Sequence, residues 1–362
     1  MTIEMKKTGG SSGIDFGRRV AILRSPGGTP SGRIDIRAVV VIAVLVVLSL
    51  VVAVIALGIG DYPVAPDRVL NAIFGTGTRI EELVVTQWRM PRVLLALVLG
   101  AALGVSGAIF QSITRNPLGS PDVIGFNTGA YTGALVVLLV IGGDSGYYGT
   151  AIGALIGGIA TALVVYLLAF KRGVQGFRFI IVGIAISAVL ASVNTWLILE
   201  ADLEEAMSAA VWGAGSLNGL GWSQAKPVMI VLAVLVPFVI VVSRRMPMLD
   251  LGDDAAKALG IRAEPTRLGL IIVGVALTAV ATAAAGPIAF VSLAAPQVAR
   301  RLTRTAGVAL LPSAAMGALL LICSDLIAQR AFAPTQLPVG VVTVSVGGLY
   351  LIWLLAREAR RQ

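Results

Sequence analysis

The chain has 362 residues, 57% hydrophobic and 13% charged, with a formal net charge of +9 and a mean hydropathy of +0.92. A soluble domain carries about 25% charged residues, so this chain lacks the charge to coat a water-facing surface, and its helix-length apolar runs place it in a bilayer. It contains no histidine and one cysteine, Cys323, which excludes an internal disulfide, a Cys/His zinc site and histidine acid–base chemistry.

Residues 1–36 are polar, basic and interrupted by Gly, Ser and Pro, and read as a disordered cytoplasmic tail. The apolar run that follows is too long and too late in the chain for a secretory signal. It is the first of ten expected membrane helices: 38–59, 91–113, 122–142, 148–170, 177–199, 227–243, 266–285, 287–303, 309–328 and 338–356. The eighth is shorter than the roughly 20 residues a crossing helix needs. Residues 37–358 therefore form one all-α polytopic membrane domain.

Ten spans put both termini on one side. With that side in the cytoplasm, 22 of the 28 Lys and Arg residues lie inside, leaving only Arg68, Arg79, Arg89, Arg92, Lys226 and Arg330 outside. This satisfies the positive-inside rule, and it explains the net positive charge without nucleic acid. Asp325 is the only acidic residue expected within a span, where it should pair locally; one carboxylate does not make a proton relay. None of the five lysines follows a glycine, so the Walker A phosphate loop is absent. If ATP drives this protein, the ATPase is another subunit.

Several motifs stand out along the chain. Gly100, Gly104 and Gly107 share one helical face, as do Gly153 and Gly157. This spacing fits close helix crossings, either along a translocation path together with Gln111 or in ordinary tight packing. In Asn116-Pro117-Leu118-Gly119-Ser120-Pro121-Asp122 two prolines break the helix and fix an extended turn. In the segment 249–262, Asp253 and Asp254 sit at a helix start and Gly260 just past its end. The result is a short exposed helix with an alanine face, suited to a partner's groove. Pro91 to Gly100 and Pro265 to Gly274 share a spacing that suggests a faint inverted repeat.

Together with Arg89-Met90-Pro91-Arg92, Gly286-Pro287-Ile288-Ala289-Phe290-Val291 and Gln336-Leu337-Pro338-Val339-Gly340, these motifs resemble the FecCD family of bacterial permease subunits. That family serves ABC importers of iron–siderophore chelates and vitamin B12. The resemblance covers roughly residues 60–358. Gln336 stands where most members have Glu, and Pro296-Gln297 where they have Pro-His. These departures, with Ser106–Ser112 and Gly125–Ala130, are similar to the ferric-enterobactin branch.

The resemblance implies a BtuC-like, type II ABC importer fold in the bacterial cytoplasmic membrane. It also implies a second FecCD-type permease subunit as heterodimer partner, two ATP-binding subunits and an extracytoplasmic siderophore-binding protein. The chain itself would be no enzyme and hold no cofactor; ATP and Mg would belong to the partner ATPase, and iron would be present only as transported chelate. Asn116, Pro117 and Leu118 would form one cytoplasmic gate and Gln175, Gly176 and Phe177 a second. Leu251, Gly252, Asp253, Asp254, Ala256, Leu259 and Gly260 would rest on the ATPase. Arg89 and Arg92 would dock the binding protein, with Arg330 replacing a family arginine that is Gln329 here; lipid anchoring is the other reading of these arginines. Vitamin B12 or haem would be an alternative cargo, and an ion-coupled transporter the more distant alternative.

Overall fold

The computed structural model describes residues 2–4, 20–24, 32–142, 146–170, 176–250, 252–260, 262–305, 307 and 309–359. Ten helices coincide with the ten expected spans: α1 Ile36–Gly58, α2 Met90–Thr114, α3 Phe126–Leu135, α4 Gly146–Ala169, α5 Gly176–Glu200, α6 Trp222–Ser243, α7 Ala263–Ala285, α8 Val291–Thr303, α9 Leu310–Arg330 and α10 Val339–Ala359. Seven of the described helices are long and apolar enough to cross a membrane; α3, extended by the π-helical turns Val136–Ile141, and α10 are shorter apolar helices. The chain is a multi-pass, all-α membrane protein.

The tail departs from a structureless segment in its described residues. β1 Thr2–Glu4, β2 Val20–Arg24 and β3 Gly32–Asp35 pair antiparallel in that order. Val20-Ala21-Ile22-Leu23 is a strand-length apolar run in an otherwise polar stretch, which favours pairing. Asp35 then starts α1, its side chain accepting the Arg37 N–H at 3.0 Å.

α2 is the buried centre. The absent side chains of Gly100 and Gly104 admit the backbone of Gly317 and Ser313 on α9, and that of Gly107 admits Ser292 on α8. Gly274 likewise makes room for Phe110, and Ser106 donates to the Gly274 carbonyl. Pairings of Gly100 with Gly317 and Gly104 with Ser313 make α2 and α9 antiparallel, and Ile109 and Ser106 against Gly274 and Thr278 do the same for α2 and α7. This alternation is what the ten-span topology requires. The faint repeat is not mirrored in packing, since Gly100 faces α9 whereas Gly274 faces α2.

Gly129 and Gly133 on α3 meet Gly157 and Gly153 on α4 in the same way. Without a hydrophobic drive in lipid, such close approach is what holds helices together. Phe110, Phe126 and Phe179 join α2, α3 and α5, with ring centroids 5.4 to 6.4 Å apart. The outer faces of α1, α4, α5 and α6 expose Val, Leu and Ile, as a lipid-facing surface does.

α8 is short for a physical reason. Its 13 residues rise only about 20 Å, and the Gly286–Phe290 segment before it is not helical. Non-helical backbone at membrane depth survives only when its polar groups find protein partners. Here the Ala285 carbonyl accepts from Ser216 N–H, and the Phe290 N–H donates to Asp122. Gly286, at φ +72, lies against the Trp212 carbonyl, where no side chain fits.

Candidate functional site

At the N-terminal end of α2, Arg89 and Arg92 do not present free charge together. Arg89 donates to the Leu57 carbonyl at 2.8 Å and to the Tyr62 carbonyl at 2.6 Å, holding the end of α1 to α2. Arg92 turns inward onto Asp325 of α9, Nη2 to Oδ1 at 2.8 Å and Nε to Oδ2 at 3.0 Å. The Arg92 side chain is 13% exposed and that of Asp325 2%. Gln329 donates to Asp325 at 2.8 Å, and Gln336 accepts from Arg92 Nη1 at 3.0 Å. Asp325 thus pairs with Arg92 across 233 positions, beside its local bond from Gln329. Arg92 is engaged in a buried bidentate ion pair, the geometry for which guanidinium is suited. Arg330 ends α9 near enough to Arg89 for their charges to repel, and its buried Nε has no hydrogen-bond partner among the described residues.

At the opposite end, α2 stops at Arg115, whose φ of +49 reverses the chain before Pro117. The Asn116 side chain accepts the Leu118 N–H at 2.9 Å, closing an Asx-type turn that leaves Leu118 50% exposed. Gln297 of α8 donates to the Pro117 carbonyl at 2.8 Å, and Gln111 donates to the Leu293 carbonyl at 3.0 Å. Gln297, the departure from the family's histidine, therefore holds the loop. Gln111 and the glycines Gly100, Gly104 and Gly107 are buried at helix contacts.

The two expected gates adjoin. Gly176 opens α5 against the backbone of Thr114, too close for a side chain, and Phe177 beside it is 75% exposed. Gln175 lies outside the described residues.

Sequence reasoning missed Asp122 as a structural hub. Its Oδ2 accepts the Phe290 N–H at 3.1 Å and the Ser292 hydroxyl at 2.8 Å. Its Oδ1 accepts from Asn127 at 3.0 Å, and Asn127 Oδ1 accepts from Thr282 at 3.0 Å. A carboxylate at the start of α8 satisfies donors that the helix itself cannot. It also explains why α3 starts only at Phe126: residues 116–125 are spent as a folded loop. The one available signal was an acidic residue against the start of an apolar run.

The segment after α6 forms two short helices, Met246–Asp250 and Asp253–Ala258, separated by Gly252 at φ +109 and closed by Gly260 at φ +77. Leu251 lies outside the described residues. Ala256 is wholly buried while Leu259 is 59% exposed. Of the expected alanine face, Ala256 packs inside the chain, while Ala255, Ala258 and Leu259 are exposed. Ser112 donates to Asp250 at 2.6 Å and Arg115 to the Leu249 carbonyl at 3.0 Å. The segment is thereby tied to the end of α2 from which the Asn116 loop departs.

Three similarities follow this geometry. The chain is 50% identical over 327 residues to the ferric enterobactin transport system permease protein FepG of Escherichia coli, covering 90% of this chain and 98% of that one. It is 38% identical over 328 residues to the iron(3+)-hydroxamate import system permease protein FhuG of Bacillus subtilis, covering 88% and 97%. A solved structure described as an inward-facing conformation of a metal-chelate type ABC transporter superposes with a TM-score of 0.77 at 27% identity, over 88% of this chain and 99% of that one. The sequence model of the FecCD transport family matches residues 41–357, and the chain belongs to that family.

Proposed function

We propose that this chain is the permease subunit of a bacterial ABC importer that carries a ferric siderophore, of the catecholate type, across the cytoplasmic membrane. A second FecCD-type permease subunit, two ATP-binding subunits and an extracytoplasmic siderophore-binding protein complete it, and both termini of this chain face the cytoplasm. The 50% identity to FepG supports the catecholate class.

The observation that carries the mechanism is the pair of bonds from Asp250 and Leu249 to Ser112 and Arg115. A load applied by an ATPase at residues 249–260 passes through them to the end of α2. There it reaches both the Asn116–Leu118 turn and the Thr114–Gly176 contact. One displacement thus moves both cytoplasmic gates. The chain performs no bond chemistry; ATP binding and hydrolysis in the partners bias it between outward- and inward-open states.

At the outer face, Arg330, with the outer edge of Arg89, is the docking position for acidic groups of the binding protein. Arg92 is committed to Asp325.

Siderophore-dependent growth tests this reading. An iron-starved bacterium lacking its own permease of this class, but supplied with this chain and its partner subunits, should grow on a ferric catecholate chelate as sole iron source. Growth on free ferric citrate alone, with none on the catecholate, would contradict the cargo. Growth on neither would contradict the assignment.

A further inference from the structure

A cavity of about 330 Å³ opens between α3 and α5, lined by Thr128, Tyr131, Asn194, Thr195, Ile198 and Pro287 among others. It lies away from the two proposed gates: Asn194 is about 27 Å along α5 from Gly176. Asn194 is 5% exposed, and its Oδ1 accepts the Thr132 hydroxyl at 2.7 Å. Its amide NH₂ makes no hydrogen bond among the described residues and is open to the cavity rather than sealed in the packing. That donor belongs to a side chain on the cavity wall.

The remaining walls are specific in character. The Tyr131 hydroxyl is spent on the Ala209 carbonyl at 3.1 Å and its ring stacks on Trp212 at 6.1 Å, which fixes an aromatic surface beside the amide. Thr128 adds a hydroxyl, Ile198 and Pro287 add apolar wall, and the lining contains no charged side chain. Neutral donors beside a ring and an apolar surface fit a flat aromatic group bearing anionic oxygens. At the lower end of the range for small-molecule sites, the cavity has room for one arm of a chelate rather than the whole.

We infer that this cavity is a transient subsite for one aromatic, oxygen-bearing arm of the transported chelate, with the Asn194 amide as its hydrogen-bond donor. The inference rests on the permease reading and deepens it. Without a cation to form an ion pair, the hold is weak enough for onward release, as a staging point on a transport path requires. Such a subsite acts on translocation after docking, so its loss lowers turnover while leaving the half-saturating concentration of loaded binding protein in place.

The test uses the complete importer in lipid nanodiscs and proteoliposomes, with a ferric tris-catecholate and a ferric hydroxamate as probes. Quenching of tryptophan fluorescence reports binding of free chelate, and uptake reports turnover. Asn194→Leu removes the donor, Ala191→Phe, at another wall position, fills the cavity, and Asn194→Asp keeps an oxygen for Thr132 while replacing the amide with an acceptor. Loss of a hydrogen bond to an anionic oxygen is worth about tenfold or more. Each variant should lose catecholate binding and turnover by that factor, and the wild-type importer should bind the catecholate more tightly than the hydroxamate. Assembly is checked by size-exclusion chromatography. If Asn194→Leu does not assemble, Asn194→Asp and Ala191→Phe carry the test. Wild-type binding and turnover in the assembled variants would overturn the subsite and leave the permease reading intact. A wild-type importer that moves neither chelate would instead overturn the permease reading.

Discussion

Removing Arg92 strands the Asp325 carboxylate, 2% exposed, away from water, with only Gln329 left to donate to it. Breaking such a pair costs about 3–5 kcal/mol, whereas replacing both partners with apolar groups is often close to neutral. Arg92→Leu and Asp325→Leu should therefore each lower the thermal midpoint and yield of the purified importer, and the double variant should recover most of the loss. Additive losses would show that the pair is not coupled. The charge at Arg330 should behave differently. Arg330→Glu is expected to weaken capture of the loaded binding protein about two- to fivefold at low ionic strength, with the effect fading as salt rises. Equal affinity at low salt would make Arg330 a lipid anchor. The sequence shows Arg89 and Arg92 three positions apart, hence on one helical face, but not what that face meets. The partner of Arg92 is 233 positions away, and local spacing carries no information about it. The same limit hid Asp122, whose partners lie on α3 and α8.

Helices were more legible than side chains, because lipid imposes one long apolar pattern on each. All ten runs became helices, and even the weakness of the eighth was visible in its length. The cause was not visible: the Gly286–Phe290 turn depends on Asp122 and on Ser216, supplied by other segments. The glycine spacing on α2 gave a packing face, which meets α9 and α8. Gly107→Val is accordingly expected to push α8 off α2, since its side chain would occupy the place of the Ser292 backbone. Overpacking of this kind costs about 1–3 kcal/mol or more; a lowered thermal midpoint with weakened closure at the Pro117 loop is the expected result, and an unchanged midpoint would contradict the contact. In the coupling segment, the exposed Leu259 and the buried Ala256 should separate function from folding. Leu259→Ala should leave the chain assembled but reduce chelate-stimulated ATP hydrolysis by its partners, whereas Ala256→Glu should reduce the amount of folded protein. The reverse pattern would invalidate the assignment of the two faces.

Across the whole molecule, the proposed docking and gating residues lie at opposite ends of α2. Arg89 and Arg330 lie at one end; the Asn116 loop, Gly176 and the 249–260 segment gather at the other. The sequence contained the family resemblance and the charge asymmetry, and with the latter an expected direction of the chain through the membrane. It did not contain the bonds between α2 and Asp250 and Leu249 that join the proposed coupling segment to the proposed gate, because these arise only when α2 and the end of α6 fold side by side. The account stands on that join: ATP spent outside this chain moves a chelate through it. The most direct measurement is uptake of radiolabelled ferric catecholate into proteoliposomes containing this chain, its permease partner and the ATP-binding subunits, with loaded binding protein on the outside. The account predicts accumulation that requires internal ATP and is lost, with ATP hydrolysis continuing, when Asp250→Ala and Arg115→Ala together cut the join. Uptake without ATP, driven by an ion gradient or by this chain alone, would contradict it.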